Sequence, residues 1–262
     1  MSRLDRGTRS LVLGYHAVSE AWPAPLSVTP AALRRQLELL LSRGWTATTF
    51  TEAVLHPPAA RTFAVTFDDG FDSVRRHAAP LLAELAIPGT LFVPTDWPGR
   101  SLRWPGVEHW AATPFADELE AMTWDDVRAL AADGWEIGAH TCSHPHLSQL
   151  DDDAIGRELT ESRAVCEREL GRACRSIAYP FGDADERVRA AAPAAGYEAG
   201  AGLGAAVPVP SRYEWPRVGI WHGESHSRFR LKVSPVTSQL GVWRRLRAIE
   251  AAARPTRARH RG

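Results

Sequence analysis

The stretch Ala64-Val65-Thr66-Phe67-Asp68-Asp69-Gly70 decides how this chain is read. Residues 62–67 are apolar or β-branched, as a buried strand requires, and they stop on two adjacent carboxylates and a glycine. Neighbouring acids repel each other and are costly to desolvate. In a turn open to water the pair is ordinary, because Asp and Gly are turn residues. At the C-terminal mouth of a parallel α/β sheet, where ligands gather, it serves better as one metal ligand beside one general base.

Outward from that strand, the chain alternates. Residues 10–14, 45–50, 89–95, 135–139, 176–179 and 197–202 read as strands. Helical spacing is expected from Pro30 to the stop at Gly44, then over 74–86, 124–133, 151–170, 183–195 and 239–253. Thr29 caps the first helix with Pro30 at its first position, and Thr123 with Asp126 forms a capping box. Strands alternating with helices predict an α/β fold with a parallel sheet, closed or nearly closed. The length of 262 residues suits one such unit. Between the strand at 89–95 and the helix at 124, the pattern dissolves into Trp97, Pro98, Trp104, Trp110 and Pro114. That irregular insertion, 96–122, reads as a lid or a binding wall.

Basic and acidic residues number 31 each, so no net charge draws the chain to nucleic acid. No apolar run is long enough to span a bilayer, and residues 1–10 lack the apolar core of a signal peptide. Three cysteines argue against a disulfide framework. A cytoplasmic protein is the expectation, with peripheral membrane association as its variant. Arg244-Arg245-Leu246-Arg247 reads as a solvated helix face, or as a contact for an anionic lipid or a lipid-linked sugar.

A second motif, His140-Thr141-Cys142-Ser143-His144, follows the strand at 135–139 and sets two imidazoles four residues apart. Two histidines and one carboxylate form a common set for a divalent cation, with a position left open. Thr66-Phe67-Asp68-Asp69-Gly70 and this histidine pair together resemble the first two motifs of the polysaccharide deacetylases, carbohydrate esterase family 4. Leu13-Gly14-Tyr15-His16, Phe92-Val93-Pro94-Thr95 and Ala178-Tyr179-Pro180-Phe181-Gly182 are similar to the bacterial sugar-deacetylase branch, so the resemblance covers most of the chain.

The resemblance implies a single-domain, distorted (β/α) barrel that removes acetyl groups from N-acetylated sugars. Carried onto this sequence, it makes Asp69, His140 and His144 the ligands of a divalent metal, zinc first, with cobalt, nickel or manganese as alternatives. Asp68 becomes the general base on the metal-activated water, and the backbone N–H of Phe181 the oxyanion donor. The family's base-orienting arginine is replaced by Ala178; Arg217 either substitutes for it or forms an ordinary ion pair. The general acid is His16 or, by a looser match in Ile220-Trp221-His222, His222. Trp97, Trp104 and Tyr179 are candidate sugar contacts, the tryptophans alternatively packing the insertion onto the barrel. The expected organisation is an N-terminal arm (1–9), a catalytic domain (10–238) and a basic C-terminal helix and tail (239–262). Two other readings stand beside this one: a metal- or sugar-binding member without turnover, and an O-acetyl esterase.

Overall fold

The computed structural model describes residues 10–56, 61–203 and 211–234. The N-terminal arm, the expected helix at 239–253 and the basic tail lie outside the described residues. Strands β1 (Ser10–Tyr15), β4 (Thr46–Thr48), β5 (Thr62–Phe67), β6 (Gly89–Val93), β7 (Glu136–Ala139), β8 (Ser176–Ala178), β9 (Ala199–Ala201) and β10 (Val218–Gly219) form one sheet. β2 (Ala17–Val18) and β3 (Ser27–Val28), not anticipated from sequence, pair separately.

The main sheet runs β10-β1-β5-β6-β7-β8-β9 with every pairing parallel. β4 pairs with the first half of β5 and β6 with the second half. Trp215 bridges to Ala201 of β9, and a few residues later β10 pairs with Leu13 and Gly14 of β1. The segment 215–219 therefore touches both edges of the curled sheet. This is the distorted (β/α) barrel expected, in a single domain. Its strands end at one mouth, so the residues just past them, including His16, Asp68 and His140, are brought together by topology alone.

The helices are α1 (Pro30–Ser42), α2 (Phe50–Leu55), α3 (Ala79–Glu84), α4 (Trp124–Ala132), α5 (Asp152–Leu170), α6 (Glu186–Ala194) and α7 (His226–Lys232). In α1 the Thr29 hydroxyl accepts from Ala32 N–H, and Leu33, Leu37 and Leu40 make the buried stripe. The Thr123–Asp126 capping box opens α4. The barrel interior is filled by small or flat side chains: Val12, Ala64, Phe92, Ala178 and Ala199, with Phe50 of α2 edge-on to Phe92.

One expected helix is not uniform. Residues 74–78 form a π turn in which Ala79 N–H donates to Val74 O, and only then does α3 begin. Pro80 has no N–H to offer, so the regular ladder cannot run through this point and the bond slips by one residue. The insertion 96–122 is irregular as expected, but it is anchored. Leu102 N–H donates to Leu119 O, Met122 N–H donates to Gly70 O, and Leu102, Trp104, Val107, Leu119 and Met122 are buried in the main core. Among the described residues, no helix is long and apolar enough to cross a membrane.

Candidate metal centre

Period-two alternation aims the first acid. Phe63, Val65 and Phe67 of β5 face the outer core, while Ala64 faces the barrel interior and Thr66 reaches Arg217 there. Asp68 continues the inward set. Asp69 then takes a left-handed step at φ 71°, breaking the alternation and bringing its carboxylate to the histidines.

Asp69 Oδ1 lies 3.3 Å from His140 Nε2 and 3.1 Å from His144 Nε2. All three residues are buried, and one ligand atom from each lies within 4.8 Å of the others. His140 Nδ1 is 2.8 Å from Ala178 O, the geometry of an N–H donating to a carbonyl. In the neutral ring that leaves a lone pair on Nε2, facing the carboxylate oxygen. Two acceptors confront each other, and Asp69 Oδ1 has no hydrogen-bond donor among the described residues. A cation between them removes the conflict, so the donor set fits a divalent metal of the nitrogen- and oxygen-loving kind. Burial pushes the Asp69 carboxyl up, but the closeness of the His140 and His144 imidazoles outweighs it and holds the group far below the usual carboxylate range. Burial likewise pushes the Cys142 thiol up to about 11, and its sulfur turns to Glu158 O rather than to the triad.

The backbone here is strained. Of the five non-glycine residues with positive φ among the described residues, four are Asp69, Thr141, His144 and Phe181. Such conformations cost on the order of 1–3 kcal/mol each and persist only where neighbours enforce them. For the turn between the two histidines, the enforcer is Glu158 of α5. Its carboxylate accepts from Cys142 N–H (2.7 Å), Ser143 N–H (3.1 Å) and Ser143 Oγ–H (2.6 Å). With a divalent cation added to the triad, Glu158→Ala is expected to bind it roughly 10–100-fold more weakly than wild type, the usual effect of losing an outer support. Glu158→Gln, which keeps an oxygen for the two amides, is expected to stay near the wild-type level. Zinc titration against a chromophoric chelator checks both.

Asp68 sits beside this triad and is gripped from across the barrel. Arg217 Nη1 and Nη2 donate to its two oxygens at 2.6 and 2.8 Å, while Nη1 also reaches Thr66 Oγ1 and Nε reaches Gly202 O. Burial pushes the Asp68 carboxyl up, but the Arg217 guanidinium reverses this and carries it below its ordinary value. On the other side, His16 Nε2 is 3.9 Å from Asp68 Oδ2. Trp221 stacks on the His16 ring at 5.5 Å between centroids. Burial pushes the His16 imidazole down, against the pull of Asp69 and Asp68.

Residues 56–200, more than half of the chain, match the model of the polysaccharide deacetylase family. The chain belongs to the polysaccharide deacetylase family. YxkH of Bacillus subtilis, itself provisionally named a polysaccharide deacetylase, is 26% identical over 234 residues, 87% of this chain and 77% of that protein. In fold the chain is similar to the deacetylase PplD of Streptococcus pyogenes, solved in complex with acetate. The TM-score is 0.70 at 22% identity, over 86% of this chain and 98% of that one. IcaB from Ammonifex degensii gives 0.68 at 24% identity, over 89% and 96%.

Membership in this family makes the protein a hydrolase of carbohydrate acetyl groups by class. The matched segment holds Asp68, Asp69, His140, His144, Ala178 and Phe181, whereas His16 and Arg217 lie outside it. Ala178 is a small barrel-interior residue, and Arg217 comes to Asp68 from the segment opposite, between the bridge at Trp215 and β10.

Three expectations need correction. His222 is exposed on the turn after β10, held by its N–H to Pro25 O, and it is Trp221 beside it that packs onto the site. Tyr179 is fully buried with its hydroxyl on Tyr213 O, so it has no face to offer a sugar. Trp104 is 4% exposed and stacked on His144, while Trp97 stays half-buried at the edge. Glu158 and Trp221 were missed. Glu158 stands in a run of charges on α5 that gives no sign of its inward reach, and nothing in Ile220-Trp221-His222 tells that the indole and not the imidazole turns to the site.

Proposed function

We propose that this deacetylase is a metal-dependent hydrolase that removes acetyl groups from N-acetylated sugars, on a polysaccharide, oligosaccharide or glycoconjugate. The observation that carries the reading is the joining of a cation-fitting Asp/His/His set to a second, ionised carboxylate locked beside it by Arg217. A binding module has no use for Asp68; a hydrolase needs it as base.

Asp69, His140 and His144 would hold the cation, zinc first, with cobalt, nickel or manganese as alternatives. When bound, the metal supplies Lewis acidity, polarising the acyl oxygen and making water easier to deprotonate. Asp68 takes a proton from the water that adds to the acyl carbon. Arg217 keeps that carboxylate charged and fixed in plane. The backbone N–H of Phe181, on the turn Pro180–Gly182, donates to the oxygen that gains charge. The C–N bond then breaks, acetate leaves, and the nitrogen needs a proton. We assign that step to His16, whose Nε2 lies 3.9 Å from Asp68 Oδ2, the carboxylate that takes the proton from water. Phe181, 41% exposed and backed by the parallel ring of His146 at 3.9 Å, and the half-buried Trp97 make apolar sugar contacts at the rim.

The test is acetate release by metal-loaded protein from N-acetylglucosamine oligomers and from an O-acetylated sugar. Faster release from the amide is the expected result. Release from the ester alone would make the protein an O-acetyl esterase, and release from neither would favour the binding reading.

A further inference from the structure

We propose that Trp104, carried by the 96–122 insertion, is the positioning residue for His144. The proposal rests on the reading of Asp69, His140 and His144 as metal ligands. The two histidines are supported differently. His140 has the usual arrangement, its Nδ1 fixed on Ala178 O at 2.8 Å. His144 Nδ1 is buried and has no hydrogen-bond partner among the described residues. Something else must keep that ring from turning about its side-chain bonds.

The indole of Trp104 lies flat on the His144 ring, with centroids 4.0 Å apart and planes 19° apart. The Phe181 ring meets the same imidazole edge-on at 4.7 Å. Trp104 is itself wedged by Trp97 at 5.2 Å and 83°, and is 4% exposed. The insertion that carries it is tied to Gly70, next to Asp69, through Met122 N–H. So one element braces ligands from both motifs.

The stack also has the right sign. An imidazole that gives its Nε2 lone pair to a divalent cation becomes electron-poor, and an indole face attracts positive charge. Binding of the cation and stacking therefore strengthen each other. An aliphatic side chain of similar bulk would fill the space without this coupling.

The experiment measures zinc and cobalt dissociation constants by chelator competition, with no substrate present, alongside apo-protein melting temperatures. Trp104→Leu is expected to weaken zinc binding roughly 10–100-fold, the range for loss of an outer support. Trp104→Met, which is softer and fits irregular space, is expected to do the same and serves if the leucine variant does not fold. Trp104→Phe keeps an aromatic face and is expected to recover most of the affinity. Trp110→Leu disturbs the same insertion where Trp110 packs on Trp22 and Phe115, away from His144, and is expected to leave affinity unchanged. Wild-type affinity in folded Trp104→Leu or Trp104→Met would overturn the proposal, and so would an equal loss in Trp110→Leu. A wild-type protein that takes up neither ion overturns the metal reading, and this inference with it; loss of deacetylation with normal metal affinity does not.

Discussion

Asp68→Asn is expected to lower acetate release by about 10²–10⁴-fold, the range that a positioned general base contributes, while metal content stays at the wild-type level. The separation of the two effects follows from the geometry. Asp69, not Asp68, makes the contacts to His140 and His144. Asp68 instead spends both oxygens on Arg217 and lies 3.9 Å from His16. An amide of the same shape cannot take a proton from water, and it sets an N–H₂ group against one guanidinium nitrogen. Some loss of stability is therefore expected as well, and melting temperature and metal content must be read beside the rate. Loss of activity with metal and fold intact assigns the base. Unimpaired turnover in the asparagine variant would remove Asp68 from the chemistry.

The second large effect is expected from Arg217→Met. Asp68 and Arg217 are both shielded from water, at 0% and 2% exposure. Breaking a buried pair by removing one partner costs ~3–5 kcal/mol, because the other charge is left uncompensated. The melting temperature should fall steeply. Without its guanidinium, the Asp68 carboxyl loses the influence that carries it below its ordinary value, and burial then favours the protonated acid, which is no base. Acetate release is expected to fall by roughly 10²-fold in the protein that remains folded, as misplacement of a reacting group by about an ångström would produce. Arg217→Lys restores a charge but not the two-pronged contact, and should fall between. The double variant Asp68→Asn with Arg217→Met should be more stable than the two single losses added together, since neither charge is then stranded. A surface ion pair would show none of this: its removal moves stability by ~0–1 kcal/mol.

Much of this was legible in the sequence because it rested on short-range rules. The strand at 62–67 is observed with those bounds as β5, since its apolar run, its β-branched residues and its abrupt acidic end all agree. The histidine pair four residues apart pointed to a cation because few structural roles need that spacing directly after a strand. Arg217 was visible as a replacement for the missing arginine only because Ala178 left a gap in a known pattern, and its contact with both Asp68 oxygens depended on how the last segment closes the sheet. What stayed hidden required three-dimensional knowledge. Nothing in residues 96–122 tells which tryptophan turns inward; of the two readings open for Trp104, a sugar contact or packing of the insertion, the second fits its place against His144 in the core. Glu158 looks like any other charge on a solvated helix face until α5 is docked under the histidine turn. Where His16 and His222 point depends on the turns that follow two parallel strands: β1 delivers His16 into the mouth, whereas the turn after β10 carries Trp221 inward and His222 out.

The most direct measurement follows acetate release from N-acetylglucosamine oligomers by one sample in three states: metal-loaded, stripped by a chelator that is then dialysed away, and reloaded with zinc. Release is expected in the first state, loss in the second with the fold retained, and recovery in the third. Undiminished release from protein shown to be free of metal would contradict a metal-dependent mechanism.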